Sequence, residues 1–226
     1  MSPGLWTPPA LAVQGGATFP ARHVWCVGRN YAEHAREMGA DPGAAEPIFF
    51  SKPAAALIQA EEIAYPADTS ELHHEVELVA VLARGGRDLD PSAALGCVGF
   101  YAVGVDLTRR DVQTRAKAAG HPWEMSKAFD QSAPLGLLLP VAQWSPLPDA
   151  RITLRVGDDV RQVAHLRDMI WDVGELLALL SARVTLQPGD LVFTGTPAGV
   201  GPLDSGDHVV AKVEGLPPLE FHIDKG

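Results

Sequence analysis

From Val76 to Leu82 the chain is apolar at every position but one, and Leu72-His73-His74-Glu75 leads into that run, a pattern that predicts a buried strand carrying Glu75 and Glu77 at its start. Side chains two apart on a strand point to the same side, so both carboxylates are expected to converge on one spot and to repel each other unless a cation sits between them. A second run, Val98 to Val105, predicts a strand that ends at Asp106, with a helix opening over residues 107–113. Val24-Trp25-Cys26-Val27 predicts a short strand broken by Gly28. Residues 31–38 have helical composition, closed by Gly39 and the Asp41-Pro42-Gly43 turn, and Ile48-Phe49-Phe50 predicts another strand. Later, apolar positions at Met169, Ile170, Val173, Leu176, Leu177 and Leu180 predict a core-facing helix over 169–180, followed by a Gly/Pro-punctuated β region from Leu186. Strands dominate. Residues 1–21, rich in Pro, Gly and Ala, read as an N-terminal extension, and residues 22–226 as one domain with its compact part starting near Val24.

Glu75, Glu77 and Asp106 together form the all-oxygen donor set that hard cations such as Mg, Mn or Ca prefer, and no Cys or His cluster at zinc spacing competes with it. Two bland readings stand beside this one: an E-x-E pair on a solvated sheet edge, and Asp106 as the N-cap of the helix that follows. His34 and Glu37, at i and i+3 on the short helix, make a base and its orienter, since a carboxylate on one ring nitrogen raises the basicity of the other. Such pairs also occur on solvated helix faces. Gly39 and Gly43 just beyond are consistent with a lid that closes over substrate.

Composition narrows the partners. The 226 residues carry 18 basic against 28 acidic side chains, a formal charge of −10, with no basic patch interleaved with aromatics, so nucleic acid is excluded as an expected partner. Cys26 and Cys97 lie in apolar runs and read as core thiols, which suits a reducing cytoplasm. There is no signal-peptide pattern and no apolar stretch of roughly 18 residues, so a soluble, cytoplasmic protein without a membrane partner is expected.

The stretches Cys26-Val27-Gly28-Arg29-Asn30-Tyr31-Ala32-Glu33-His34, Phe50-Ser51-Lys52-Pro53, Leu72-His73-His74-Glu75-Val76-Glu77, Gly104-Val105-Asp106-Leu107-Thr108 and Gly195-Thr196-Pro197-Ala198-Gly199-Val200-Gly201, in this order, resemble the fumarylacetoacetate hydrolase family from about residue 22 to the C-terminus. The resemblance implies an α+β, mostly β fold: a mixed β-sandwich roll of the family's C-terminal domain type with a few short helices. It also implies a Mg or Mn ion on Glu75, Glu77 and Asp106, and a homodimer. The short form with His34 and Glu37, together with Lys127-Ala128-Phe129-Asp130, is most similar to the acylpyruvate and fumarylpyruvate hydrolases.

That similarity implies hydrolysis of a carbon-carbon bond in a 2,4-dioxo acid, most simply fumarylpyruvate to fumarate and pyruvate in gentisate-type aromatic catabolism. Here His34, held by Glu37, would activate water. Arg110, Gln113 and Lys127 would surround the 2-oxo acid carboxylate and the developing oxyanion, and Thr196 would donate to the carboxylate. Lys127 thus counts among both catalytic and substrate-binding residues. Oxaloacetate decarboxylation through the same enolate, and a catalytically silent metal-binding scaffold, are the alternatives. His74 is expected to be structural.

Overall fold

The computed structural model describes residues 7–37 and 46–224 of the chain. Two sheets form the body. A six-stranded sheet runs in the order Leu139–Pro140, Val98–Val105, Val76–Leu82, Asp190–Phe193, His23–Gly28, Ile48–Lys52, antiparallel except where Asp190–Phe193 lies parallel to His23–Gly28. A five-stranded sheet runs Asp159–His165, Arg151–Val156, His208–Val213, Leu219–Ile223, Glu62–Ile63, its last pair parallel. Four α-helices appear among the described residues: α1 (Ala32–Glu37), α2 (Pro91–Leu95), α3 (Arg110–Ala118) and α4 (Val173–Ser181). The fold is therefore α+β and mostly β.

The strand Val76–Leu82 is buried along its whole length because it separates two cores. Leu78, Ala80 and Leu82 pack with Ile152, Leu154, Val209, Ala211 and Phe221 of the five-stranded sheet. Val79 and Val81 face the other way, onto Val24, Cys26, Ala102, Leu191 and Phe193. A strand covered on both faces reads as a continuous apolar run rather than an alternation. Cys26 and Cys97 are buried free thiols.

Several elements differ from the expectations above. Residues 10–20 form a hairpin, Ala10–Ala12 against Thr18–Pro20, that turns at Gly15 and Gly16, both at positive φ, and buries Leu11 and Val13 in the second core. The late helix begins at Val173 rather than Met169, because Asp172 caps it: its carboxylate accepts from Glu175 N–H, while Glu175 accepts from Asp172 N–H. The helix after Asp106 begins at Arg110, since Thr108–Arg109 first pairs as a strand with Leu72–His74. Asp106 is thus not that helix's N-cap. Gly39, Gly43 and the predicted Asp41-Pro42-Gly43 turn, with the lid expected there, lie outside the described residues. Among the described residues no helix is long and apolar enough to cross a membrane.

Candidate metal centre and substrate cleft

The apolar run that begins at Leu72 is two strands, not one. Leu72–His74 belongs to a three-stranded sheet with Thr108–Arg109 and Gly201–Leu203, whereas Val76–Leu82 belongs to the six-stranded sheet, and Glu75 occupies the junction. Glu75 thus stands where the chain changes sheets, two residues before Glu77 on Val76–Leu82. Asp106 joins them from the end of Val98–Val105. That strand pairs Val105 with Val76, and Asp106 N–H donates to Glu75 O at 2.8 Å. One carboxylate oxygen from each of Glu75, Glu77 and Asp106 lies within 4.8 Å of the others, and all three residues are buried. The solvated-edge reading is thereby set aside.

Two lysines and an arginine answer this negative charge. Lys127 Nζ donates to Glu75 Oε2 at 2.8 Å and to Asp106 Oδ2 at 2.6 Å. Arg110 donates to Glu75 Oε1, to Gln113 Oε1 at 2.6 Å and to His73 Nδ1 at 3.4 Å. Lys52 Nζ, fully buried, stands 2.9 Å from Asp106 Oδ1 as an ion pair, while its directed hydrogen bonds go to the carbonyls of Leu107 (3.1 Å) and Lys127. Burial works against charge on Lys127, yet Asp106 and Glu75 outweigh it and hold the ammonium above the usual lysine range. Burial likewise opposes charge on Glu75, but Lys127 and Arg110 hold its carboxyl well below the ordinary value.

Glu77 touches none of these cations. Its partner is the backbone N–H of Gly195, which donates to Oε2 at 2.6 Å, and burial together with Asp106 and Glu75 pushes its carboxyl well above 4.5. Gly195 is required there: it adopts φ +98°, and a Cβ would come within 2.7 Å of Asn30 Cβ. An all-oxygen donor set with one carboxylate lacking a cationic partner fits a divalent hard cation, which would let Glu77 ionise. The residues present could hold such an ion.

A cleft of about 390 Å³ opens beside the cluster, lined by Arg29, His34, Glu75, Arg110, Gln113, Lys117, Trp123, Lys127 and Thr196, with Val27, Gly28, Ile48 and Phe50 as its apolar wall. His34 on α1 is buried, and its Nδ1 lies 3.4 Å from Glu37 Oε2. Glu37 in turn accepts from Gly199 N–H at 3.2 Å, so α1 is tied to the loop that carries Gly195 and Thr196. Burial lowers the His34 pKa, partly offset by Glu75 and Glu37. Every sequence-predicted site residue except Glu37, Glu77 and Asp106 lines this cleft; Glu77 and Asp106 lie in the buried carboxylate cluster beside it, and the exposed Glu37 bonds His34. Gln113 is buried, so Arg110 and Gln113 do not form a solvent-facing helix pair.

Five residues escaped the sequence reading of roles. Lys52, Arg29 and Asn30 lie inside the stretches that resemble the family, Lys117 and Gln162 outside them. Lys52 had a signal, a lysine closing the apolar strand Ile48–Lys52. Asn30, fully buried, donates to Thr194 O (2.7 Å) and Trp171 O (3.0 Å) and accepts from Trp171 N–H (2.8 Å), stapling three segments behind the cleft. Arg29 holds φ +66°, an uncommon conformation for a non-glycine residue, at the cleft wall. His74 is buried and bonds Gln162, in keeping with a structural role.

Known proteins match along the whole domain. The family described as fumarylacetoacetate (FAA) hydrolase C-terminal matches residues 23–224. A crystal structure of fumarylpyruvate hydrolase from Pseudomonas aeruginosa, in complex with Mn2+ and pyruvate, is 44% identical with a TM-score of 0.97, the match covering 100% of both chains. The oxaloacetate tautomerase YcgM of Escherichia coli is 41% identical over 199 residues, 87% of this chain and 90% of that one. The mitochondrial oxaloacetate tautomerase FAHD1 of Oryza sativa is 39% identical over 203 residues, 88% of each chain. With sheets, buried carboxylates and full-length similarity in agreement, the chain belongs to the fumarylacetoacetate hydrolase family.

Proposed function

We propose that this chain is a metal-dependent hydrolase that breaks the C3–C4 bond of a 2,4-dioxo acid, with fumarylpyruvate, cleaved to fumarate and pyruvate, as the substrate the cleft suits best. The observation that carries this reading is the meeting in one cleft of Glu75, His34 and four cations, Arg29, Arg110, Lys117 and Lys127. Arg110 and Lys127 are engaged by Glu75, whereas Arg29 and Lys117 have no carboxylate partner among the described residues. An acidic protein that leaves two cations unpaired in a cleft is suited to a substrate with two carboxylates, one at each end. The 44% identical structure described as a fumarylpyruvate hydrolase with Mn2+ and pyruvate supports the same chemistry.

A divalent cation held by Glu75, Glu77 and Asp106 would orient a 2-oxo acid and polarise its carbonyl. The chain's own groups do the rest. Arg110, Gln113, Lys127 and Thr196 hold the 2-oxo acid end. His34, kept neutral by burial and oriented by Glu37, takes a proton from water as the water oxygen bonds to C4 and the carbonyl pair moves onto the C4 oxygen, to return and re-form the carbonyl in the next step. The C3–C4 bond breaks, its electron pair passes to C3 to give the enolate of pyruvate, and the acyl part leaves as fumarate. Lys127, which keeps its proton, stabilises the enolate oxygen, and His34 gives the proton it took from water to C3, which completes pyruvate and resets the base.

A second reading, oxaloacetate tautomerisation, is favoured by the relatives of that name at 39% and 41% identity. Oxaloacetate also carries a 2-oxo acid and a distal carboxylate, and moving its C3 proton needs no water. The test is turnover of fumarylpyruvate and oxaloacetate by protein loaded with Mn2+ or Mg2+, with EDTA controls, in wild type and His34→Ala. We expect metal-dependent pyruvate release from fumarylpyruvate, reduced about a hundredfold or more in the variant. Silence on fumarylpyruvate with fast enol-keto exchange of oxaloacetate would move the assignment to a tautomerase. Pyruvate release from oxaloacetate alone, unaffected by His34→Ala, would move it to a decarboxylase.

A further inference from the structure

Gln162 is the single fully buried residue of the strand Asp159–His165, whose other positions are exposed or half-buried. It directly follows a bulge: Leu154 pairs with Gln162 but Arg155 pairs with Val160, which leaves Arg161 as the extra residue. Bulges re-aim side chains, and this one sends an amide inward beneath the loop that carries Thr196. The loop is seated closely on that strand: Gly199, at φ +91°, lies where a Cβ would be 2.1 Å from Arg161 O.

All four hydrogen-bonding positions of the Gln162 amide are used. Its Oε1 accepts from Val76 N–H at 3.0 Å and from His74 Nδ1 at 2.9 Å. Its Nε2 donates to Pro197 O at 2.9 Å and to Thr196 Oγ1 at 2.8 Å. The orientation of the amide is fixed by its surroundings, because a backbone N–H can only donate and a carbonyl oxygen can only accept. His74 must therefore carry its proton on Nδ1. More consequentially, Thr196 must accept at its hydroxyl oxygen from Gln162, so its own O–H is directed elsewhere. Thr196 Oγ1 donates to no group among the described residues, and Thr196 lines the cleft.

We propose that Gln162 is a positioning residue: by occupying the Thr196 oxygen from behind, it presents the Thr196 O–H to the cleft as a donor for a negatively charged oxygen of a 2-oxo acid. The proposal rests on the reading above only in that Thr196 meets the 2-oxo acid end of the substrate. An O–H donating to a charged oxygen strengthens binding by about ten- to a hundredfold. Were Gln162 replaced by an acceptor, the Thr196 hydroxyl would turn back to donate to it and offer lone pairs to the anion instead.

The experiment is a double-mutant cycle on Mn2+-loaded full-length protein, with oxalate as a stable 2-oxo acid mimic, its Kd measured by calorimetry. Thr196→Val and Gln162→Glu are each expected to weaken oxalate binding about tenfold or more, and the double variant to bind no more weakly than Thr196→Val alone. Thr196→Ser, which keeps the hydroxyl, should bind within about threefold of wild type. A general charge effect of the new carboxylate would persist in the Val background, giving multiplied losses, and would overturn the proposal, as would wild-type affinity in Gln162→Glu. If thermal melts show that Gln162→Glu does not fold, Gln162→Met carries the same test, since the Thr196 oxygen then loses the donor that fixes its O–H toward the cleft. Unchanged affinity in Thr196→Val would overturn both this proposal and the role of Thr196 in the proposed function. Coupled losses of oxalate affinity without fumarylpyruvate turnover would sustain the proposal while removing the hydrolase reading.

Discussion

Lys127 Nζ sits 2.6 Å from Asp106 Oδ2, a buried ion pair reinforced by a second contact, to Glu75, at 2.8 Å. Removing one partner from a buried network leaves uncompensated charge, which typically costs more than the intact pair gains. Lys127→Met is expected to lower the stability of the metal-free protein at pH 7 by about 3–5 kcal/mol. Added Mn2+ should restore part of the loss by supplying replacement charge between the same carboxylates. Chemical denaturation with and without EDTA measures both quantities, and a variant as stable as wild type in EDTA would show that the pair is energetically idle.

Glu77 makes the opposite contribution. Its carboxyl is raised well above the ordinary 4.5 by burial, Asp106 and Glu75, so between pH 4.5 and that higher value the folded state binds a proton that the unfolded state has lost. The contribution of Glu77 to the stability of the metal-free protein therefore falls as pH rises above 4.5, against the rise toward pH 6.5 contributed by His23, His34, His73 and His74, whose pKa values burial lowers. Glu75, held below its ordinary 4.5, acts in the window beneath: it contributes stability that is lost as pH falls through its folded value. Glu77→Gln should remove this contribution, so that in EDTA the variant gains stability relative to wild type as pH rises above 4.5, and should at the same time abolish stabilisation by Mn2+. Melting temperatures of variant and wild type across pH 4.5–8 with EDTA decide the point, a difference between the two that does not change with pH counting against it.

For His34 and Glu37 the prediction concerns the acid limb of activity. Burial lowers the His34 pKa below its ordinary 6.5, against the smaller raising effects of Glu75 and Glu37. As the neutral ring is the working base, kcat/KM should fall only below pH 6.5, when His34 gains a proton. Glu37→Gln withdraws one raising contribution, so its acid limb should move to lower pH while kcat drops about tenfold or more through loss of ring orientation. An unmoved limb with an unchanged kcat would separate Glu37 from the chemistry.

Arg29 and Lys117 are expected to sort substrates by their far end. Lys117 Nζ donates to Gln113 at 3.3 Å and lies 5.5 Å from the centre of the Trp123 ring, and its pKa is lowered by burial and by Arg110, Lys127 and Arg29. Such a crowded cation gains from a second carboxylate. Arg29→Gln and Lys117→Met should each raise KM for fumarylpyruvate about tenfold while leaving KM for acetylpyruvate, which lacks the distal carboxylate, within about twofold. Equal effects on both substrates would place the two cations at the 2-oxo acid end instead.

The carboxylate cluster was legible in the chain because its members interrupt apolar strands, where a charged residue stands out against burial. Glu75 and Glu77 stand two apart where the chain passes from the three-stranded to the six-stranded sheet, and the pairing with the strand that ends at Asp106 runs on through Glu75. His34 and Glu37 were legible because helical spacing is local. Lys52 and Gln162 were not, since a polar residue at a strand end or on an edge strand ordinarily faces water, and only a neighbouring element can turn it inward.

Sequence alone thus determined what depends on near neighbours: the β-rich character, the buried strands Val76–Leu82 and Val98–Val105, and the types of donor available. Tertiary structure alone decided which distant groups meet. Lys127 reaches Asp106 across 21 residues, Gln162 reaches Thr196 across 34 and Val76 across 86, and Asn30 reaches Thr194 across 164. These meetings follow from sheet order, one bulge and a glycine at positive φ, and strand pairing between remote segments is specified by how whole faces bury against one another rather than by any spacing along the chain.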